Sequence, residues 1–268
     1  MEDIVFLDID GNKVFALSFG LGPRTILAHS GWIGNFEDWI ATLAVLSTTW
    51  RTVVYDHRGA GETSVPVEKI SPEALVDDVF RVMDALQLQR CVLAGFSRGT
   101  ITVMRAVLRE PTRFDGLILM NGYGEVIAPG MTTPKRVPPS QWPGDTYRER
   151  LAWFAERCTP EADSDHIKRW ATNLLSRATP EAADQLFMMQ ASEQIDWPER
   201  LSALTVPTLL LHGERDVFYR TEGMEYTQSL IPNSKLVVMQ GSGHLPSMTR
   251  PEDVAREINT FFADCKQL

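Results

Sequence analysis

A serine at position 97 stands in Gly95-Phe96-Ser97-Arg98-Gly99, a G-x-S-x-G pattern directly after the apolar run Cys91-Val92-Leu93-Ala94. A serine hydroxyl is a weak nucleophile at neutral pH unless it is exposed, aimed and activated. A strand that turns abruptly into a helix does the aiming, and the two glycines keep side-chain bulk away from the turn. The first amides of the following helix lack partners within it and face developing negative charge. Residues 100–108 have the composition of that helix.

Activation requires a histidine, and the histidine requires an orienting acid. The chain has five histidines: His29, His57, His166, His212 and His244. His244 is the candidate base. It lies late, in Gly241-Ser242-Gly243-His244, just after the apolar run Lys235–Met239. The glycines free that loop to carry the imidazole over a neighbouring strand end. His166 reads as an exposed helix residue. The acid is best placed at Asp216, on the loop after the apolar run Pro207–Leu211. Glu214 is close by but is expected to face solvent or cap a helix. Glu125, after Leu117–Asn121, is the competing choice.

Acyl chemistry also needs two donors where the carbonyl oxygen gains charge. One is expected to be the backbone amide of Arg98, next to the nucleophile. The other belongs to the glycine-containing loop Ser30-Gly31-Trp32-Ile33-Gly34, with Trp32 the first choice and Gly31 the second.

These segments together resemble the α/β-hydrolase superfamily, in its capped esterase and lactonase-like branch. The pieces that carry the resemblance are HSGWIGNFEDW at 29–39, YDHRGAGETS at 55–64, GFSRG at 95–99, GERD at 213–216 and GSGH at 241–244. The order Ser97, Asp216, His244 is the order of that architecture. The resemblance implies Ser97 as nucleophile, Asp216 as orienting acid and His244 as base. It also implies an ester or lactone substrate cleaved through an acyl-enzyme. Ser97 at the elbow argues against the epoxide and halide chemistry of relatives with an aspartate there. The chain departs from the family pattern at Ser30, at Arg98 and at Thr100. The Arg98 side chain is expected to pair with an acid such as Glu125 or to leave for solvent. Two other readings stay open. One is a carbon–carbon bond hydrolase on a diketone-like acid, whose carboxylate Arg98 or Arg136 would anchor. The other is a ligand-binding protein that kept the fold and lost the chemistry.

The elements that must position these residues alternate between strand and helix. Short strands at 4–7 and 13–17 are joined by a turn at Asp8–Asn12. Further strands are expected at 25–28, 50–55, 91–94, 114–121, 207–213 and 235–239. Helices are expected at 36–46, 71–86, 100–108, 221–229 and 251–262, with Ser71 capping the second ahead of Pro72. This pattern predicts an α/β fold, a mostly parallel central sheet covered by helices. Ligands of such sheets sit beyond the carboxyl ends of the strands, where all three candidate residues fall. The Asp56–Gly61 loop is expected to be braced by Asp56 and Arg58.

The alternation breaks after Gly122. A stretch with Pro134, Pro138, Pro139 and Pro143 leads into helical segments at 146–156, 161–175 and 180–194. The expected organisation is a core in two parts, 1–124 and 201–268, with a helical cap at 125–200 between them. Some apolar side chains of the cap form its own core, and others line a pocket over Ser97. Phe36, Glu125, Trp142, Trp153 and Met189 are the candidate pocket residues.

Composition narrows the class. Of 268 residues, 44% are hydrophobic and 23% charged, the balance of an ordinary globular protein. The net charge of −9 comes without a Lys/Arg block, which argues against nucleic acid as a partner. No apolar stretch has membrane-spanning length, and the first residues lack the basic region of a signal peptide. Cys91, Cys158 and Cys265 match neither a disulfide framework nor a zinc site. No phosphate loop or metal-ligand spacing is present, so no cofactor is expected. The expected setting is cytoplasmic, with a small-molecule substrate, no membrane partner, and a homodimer left open.

Overall fold

The computed structural model describes residues 3–132, 135–192 and 194–265. Pro134 of the proline-rich stretch lies outside them. The strands are β1 (Asp3–Ile9), β2 (Asn12–Phe19), β3 (Arg24–His29), β4 (Trp50–Tyr55), β5 (Cys91–Phe96), β6 (Phe114–Met120), β7 (Thr208–Gly213) and β8 (Ser234–Met239). They form one sheet in the order β1-β2-β4-β3-β5-β6-β7-β8. β1 and β2 run antiparallel to each other, as do β2 and β4, and every other neighbouring pair is parallel. Helices cover both faces of the central strands. That is why β5, most of β6 and β7 read as unbroken apolar runs instead of alternating ones.

The core helices are α1 (Glu37–Leu46), α2 (Pro72–Ala85) and α3 (Gly99–Arg109). At the start of α2 the Ser71 hydroxyl accepts from the Ala74 amide at 3.1 Å, with Pro72 at the first helical position. Between β6 and β7 the chain inserts α4 (Tyr147–Cys158), α5 (Asp165–Leu175), α6 (Pro180–Met188) and the short α7 (Trp197–Ser202). Thr146 and Glu149 close a reciprocal capping box on α4. The chain ends with α8 (Thr221–Leu230), a single turn α9 (Pro246–Thr249) and α10 (Pro251–Asp264).

The larger differences from the expected elements lie in the insertion, and α9 is a turn outside it that was not expected. α5 begins at Asp165, not at 161, because Asp163 takes a positive φ of 60° and turns the chain first. α6 ends at Met188, not at 194, because Met189 adopts an extended ψ of 145°. The expected cap boundary at 200 falls inside α7, whose Trp197 and Leu201 are buried in the same cluster as Val206 and Leu210. By contrast Leu151, Ala155, Leu174 and Leu186 of α4–α6 join the cluster on the opposite face of the sheet. Among the described residues no helix is long and apolar enough to cross a membrane.

Candidate active site

Three strand ends meet at one point. Ser97 follows β5, Asp216 lies on the loop after β7, and His244 lies on the loop after β8. Ser97 has φ +53°, the left-handed conformation of a sharp elbow, and costs strain that the surroundings must hold. Its amide donates to Met120 O at 2.8 Å, and its carbonyl accepts from the Thr100 hydroxyl at 2.7 Å. Thr100, a departure from the family pattern, thus braces the elbow.

Ser97 Oγ lies 2.9 Å from His244 Nε2, and His244 Nδ1 lies 2.7 Å from Asp216 Oδ2. A carboxylate only accepts, so Nδ1 carries the proton and Nε2 is free to take one from Ser97. The His244 and Asp216 side chains are 2% and 0% exposed, which keeps water from competing for these bonds. The other carboxylate oxygen, Oδ1, accepts from the amides of Phe218 and Tyr219 at 2.8 and 3.2 Å. The rings of Phe96, Phe218 and Tyr219 lie 5.1, 5.0 and 6.0 Å from the imidazole.

The loop after β3 presses against the elbow. A Cβ at Gly31 would sit 2.9 Å from Ser97 Cβ and 3.4 Å from Oγ, so only glycine permits this approach. Behind the loop, His57 Nε2 lies 3.0 Å from Gly31 O and Nδ1 lies 3.0 Å from Arg58 O. Burial lowers the His57 pKa against the pull of those carbonyls. His29 is buried with Nδ1 2.8 Å from the Tyr55 hydroxyl, while His166 is exposed. Asp56 accepts from the amides of Phe36 and Glu62 at 2.7 and 2.8 Å, and Arg58 pairs with Asp78 through two bonds of 2.5 and 2.8 Å. Both residues brace their loop.

The cavity at Ser97 is small and open at its mouth, and is lined by Trp32, Phe96, Phe154, Cys158, Leu174 and Leu245, among others. Several expected pocket residues lie elsewhere. Phe36 packs on Phe15 at 5.1 Å, with its amide tied to Asp56. Trp142 and Trp153 sit one layer behind the wall. Trp142 stacks on Phe154 at 5.2 Å and packs on Trp32 at 5.0 Å, and Trp153 packs on Trp142 at 5.7 Å. The insertion carries more aromatic surface than one cavity wall can present, so the excess packs on itself. Glu125 and Met189 line a second cavity beyond the Gly31–Trp32 loop, together with Arg98 and Arg105.

The expected Arg98–Glu125 pair does not form. Glu125 binds Arg105 at 2.8 Å. Arg98 pairs with no acid among the described residues and is only half-buried. Its Nε and Nη2 donate to the carbonyls of Leu186 and Met189, each at 2.8 Å. Those carbonyls are left open where α6 ends, and a guanidinium satisfies them. Burial and the neighbouring Arg136 lower the Arg98 pKa to about 10. Trp32 holds the same helix, its Nε1 donating to Ala183 O at 2.8 Å.

Three contributors have no motif in the sequence. Asn121, with φ +47° at the end of β6, donates through Nδ2 to Gly243 O at 2.9 Å and accepts the Gly213 amide through Oδ1 at 2.9 Å. It thereby ties together the loops that carry Asp216 and His244. Glu161, expected inside a helix, instead accepts from the Gly243 amide at 2.7 Å and the Thr249 hydroxyl at 3.1 Å. The carbonyl of Cys158, at the end of α4, accepts the His244 amide at 2.7 Å. A buried polar asparagine after a strand is a faint hint of such a link. Glu161 and Cys158 offer none.

A model of the α/β hydrolase fold matches residues 24–251. The chain belongs to this family. Among curated proteins it is similar to the pimeloyl-(acyl-carrier protein) methyl ester esterase of Nitrosospira multiformis, 27% identical over 93% of this chain and 98% of that one. Among solved structures it is similar to a thermophilic esterase from Thermogutta terrifontis, with a TM-score of 0.78, 26% identity and 98% of each chain covered. The enol-lactonase from Burkholderia xenovorans shares the fold, with a TM-score of 0.83 at 19% identity over 97% of this chain and 100% of that one. The hydrolase fold thus accounts for nearly the whole chain.

Proposed function

We propose that the protein is a serine hydrolase that cleaves a small carboxylic ester or lactone through an acyl-enzyme. The observation that carries this reading is the continuous path from Ser97 Oγ through the imidazole of His244 to Asp216, at 2.9 and 2.7 Å. The esterase and lactonase names among the similar proteins support it. In this reading Ser97 Oγ attacks the carbonyl carbon while its proton passes to His244 Nε2. Asp216 holds the tautomer and stabilises the imidazolium. The amides of Arg98 and Trp32, with Gly31 beside them, receive the negative oxygen. As the tetrahedral intermediate collapses, His244 gives the proton to the departing alcohol oxygen. The same imidazole then takes a proton from water, which hydrolyses the acyl-enzyme. The substrate is a small molecule met in the cytoplasm, and no cofactor takes part.

The carbon–carbon bond reading needs a free cation for a substrate carboxylate. Arg98 is committed to Leu186 O and Met189 O, and Arg136 lies 3.4 Å from the latter.

The test is hydrolysis of p-nitrophenyl butanoate and γ-butyrolactone, with a fluorophosphonate label followed by peptide mapping. The expected result is turnover of at least one substrate, a pre-steady-state acyl-enzyme and label on Ser97. Saturable ligand binding with neither turnover nor adduct would make the protein a binding module.

A further inference from the structure

The cavity at Ser97 is apolar except for one side chain that catalysis does not use. Asp38, in the first turn of α1, is 3% exposed and lines the cavity with Ser97, His244, Phe154 and Leu174. Its Oδ2 is buried and has no hydrogen-bond partner among the described residues. That oxygen lies over Gly34, another lining residue, where a Cβ would collide with it. A buried carboxyl oxygen without a partner is costly to a fold, and a ligand atom that pairs with it recovers that cost on binding.

Building on the hydrolase reading, we infer that Asp38 is the polar anchor of the acyl pocket and selects acyl groups that carry an oxygen atom in the chain or ring. The cavity is walled by residues of α1, α4 and α5, and it contains the nucleophile. In this inference it takes the group that stays on Ser97 after the alcohol has left. Trp32, Phe96, Phe154, Leu174 and Leu175 supply apolar contact for the carbons. Asp38 supplies the one directional bond, and an unbranched alkanoyl chain leaves it unmade.

The protonation state decides which oxygens fit. Burial raises the Asp38 pKa to about 8. Asp56 and Glu37 push in the same direction, and a contact with the Ser30 hydroxyl opposes them. Cys158 and His244 are the other titratable groups facing the cavity. At neutral pH the carboxyl is protonated and donates, so an ether or carbonyl oxygen is accepted. Above that pKa it is a carboxylate, which only accepts and repels such an oxygen.

The test compares p-nitrophenyl 3-methoxypropanoate with p-nitrophenyl pentanoate, two esters of one shape that differ by an oxygen for a methylene. The ratio of their kcat/KM values cancels titration of groups that act on both. At pH 7 the native enzyme is expected to favour the ether ester, with a ratio about tenfold above that of Asp38→Leu. Asp38→Asn, whose amide still donates, should keep most of the preference. From pH 7 to pH 9 the native ratio should fall about fivefold while that of Asp38→Asn stays flat. Ratios within twofold for all three proteins at pH 7 would overturn the anchor. If Asp38→Leu does not fold, parallel pH profiles of the native enzyme and Asp38→Asn would overturn it instead. Turnover of pentanoate without preference for the ether removes the anchor and leaves the hydrolase reading standing. Turnover of neither ester removes both.

Discussion

The floor of the cavity and the helices above it hold their residues by different means. On the floor, Ser97, Asp216 and His244 sit on loops anchored by the ends of three parallel strands and cross-tied by Asn121. Above it, α4, α5 and α6 are held by apolar packing and a few side-chain bonds, such as those from Trp32 and Arg98 to α6 carbonyls. In the proposed hydrolase the floor sets the chemistry, which needs close positioning. In the same reading the helices set which groups fit, with apolar contacts that tolerate replacement. The division is not complete, because Cys158 O and Glu161 reach down from the insertion to hold the His244 loop. Substitutions on the two sides should therefore fail in different ways.

The largest effect belongs to the floor. Ser97→Ala and His244→Ala should each lower kcat by about 10⁵-fold or more, because nucleophile and base act as one unit. Thermal unfolding should stay close to that of the native protein, since alanine at 97 keeps the backbone angles of serine. A loss of similar size from any single aromatic substitution in α4–α6 would break the distinction between the two sides.

The acid comes next. Asp216→Asn should reduce kcat by about 10⁴-fold, because an amide stabilises the wrong tautomer of His244 and offers no charge to the imidazolium. Glu125→Gln should change kcat less than threefold, since that carboxylate binds Arg105. Single-turnover rates of the two variants decide the matter. The reverse ranking would move the acid to Glu125.

These two effects concern residues that could be read without a structure, and the reason is local. A strand end, a glycine turn and a polar residue are neighbours in sequence, so the pattern around Ser97, Asp216 and His244 is written in a few consecutive positions. The sheet followed for the same reason, its strands being short apolar runs between turn residues. The aromatic residues of the insertion were not legible in this way. Helical spacing shows that the aromatic face of α4 meets something, but not whether Trp153 or Phe154 stands in front, and Trp142 lies before the helix where no spacing speaks for it. Asn121 acts through partners 122 and 92 positions away and Glu161 through one 82 positions away, while Asp38 faces a cavity that only the assembled fold creates. Arg98 defeated the expectation of an ion pair because the end of α6 offered carbonyls instead.

Asn121 tests how firmly the floor is tied. Asn121→Ala removes one bond to Gly243 O and one from the Gly213 amide, and should cost about 1–3 kcal/mol of stability. We expect kcat to fall about 30-fold with KM little changed, since roughly 2 kcal/mol of positioning is lost in the reaction itself. Asn121→Asp keeps the acceptor for Gly213 but turns the Gly243 side repulsive, so it should recover part of the stability and little of the rate. Denaturant unfolding and steady-state kinetics on both variants separate the two contributions. A stability loss without any kcat loss would show that the loops hold their geometry without the asparagine.

The smallest effect sharpens the other side. Phe154 lines the cavity, while its chain neighbour Trp153 lies behind the wall, packed on Trp142 with Arg157 over its ring at 4.5 Å. Phe154→Ala opens space beside Ser97 and should shift the kcat/KM ratio of an octanoyl to a butanoyl ester about tenfold toward the longer chain, the low end of what one lost apolar contact does. Trp153→Leu should leave that ratio within twofold and act on stability instead, by about 1–2 kcal/mol, because the side chain is partly exposed and a leucine refills some of its contacts. The comparison needs both variants shown to be folded by their near-ultraviolet spectra before kinetics are read. Equal ratios in the two would mean that the wall of the cavity extends back to the second aromatic layer. The reverse order would place Trp153 in front and Phe154 in the packing behind it.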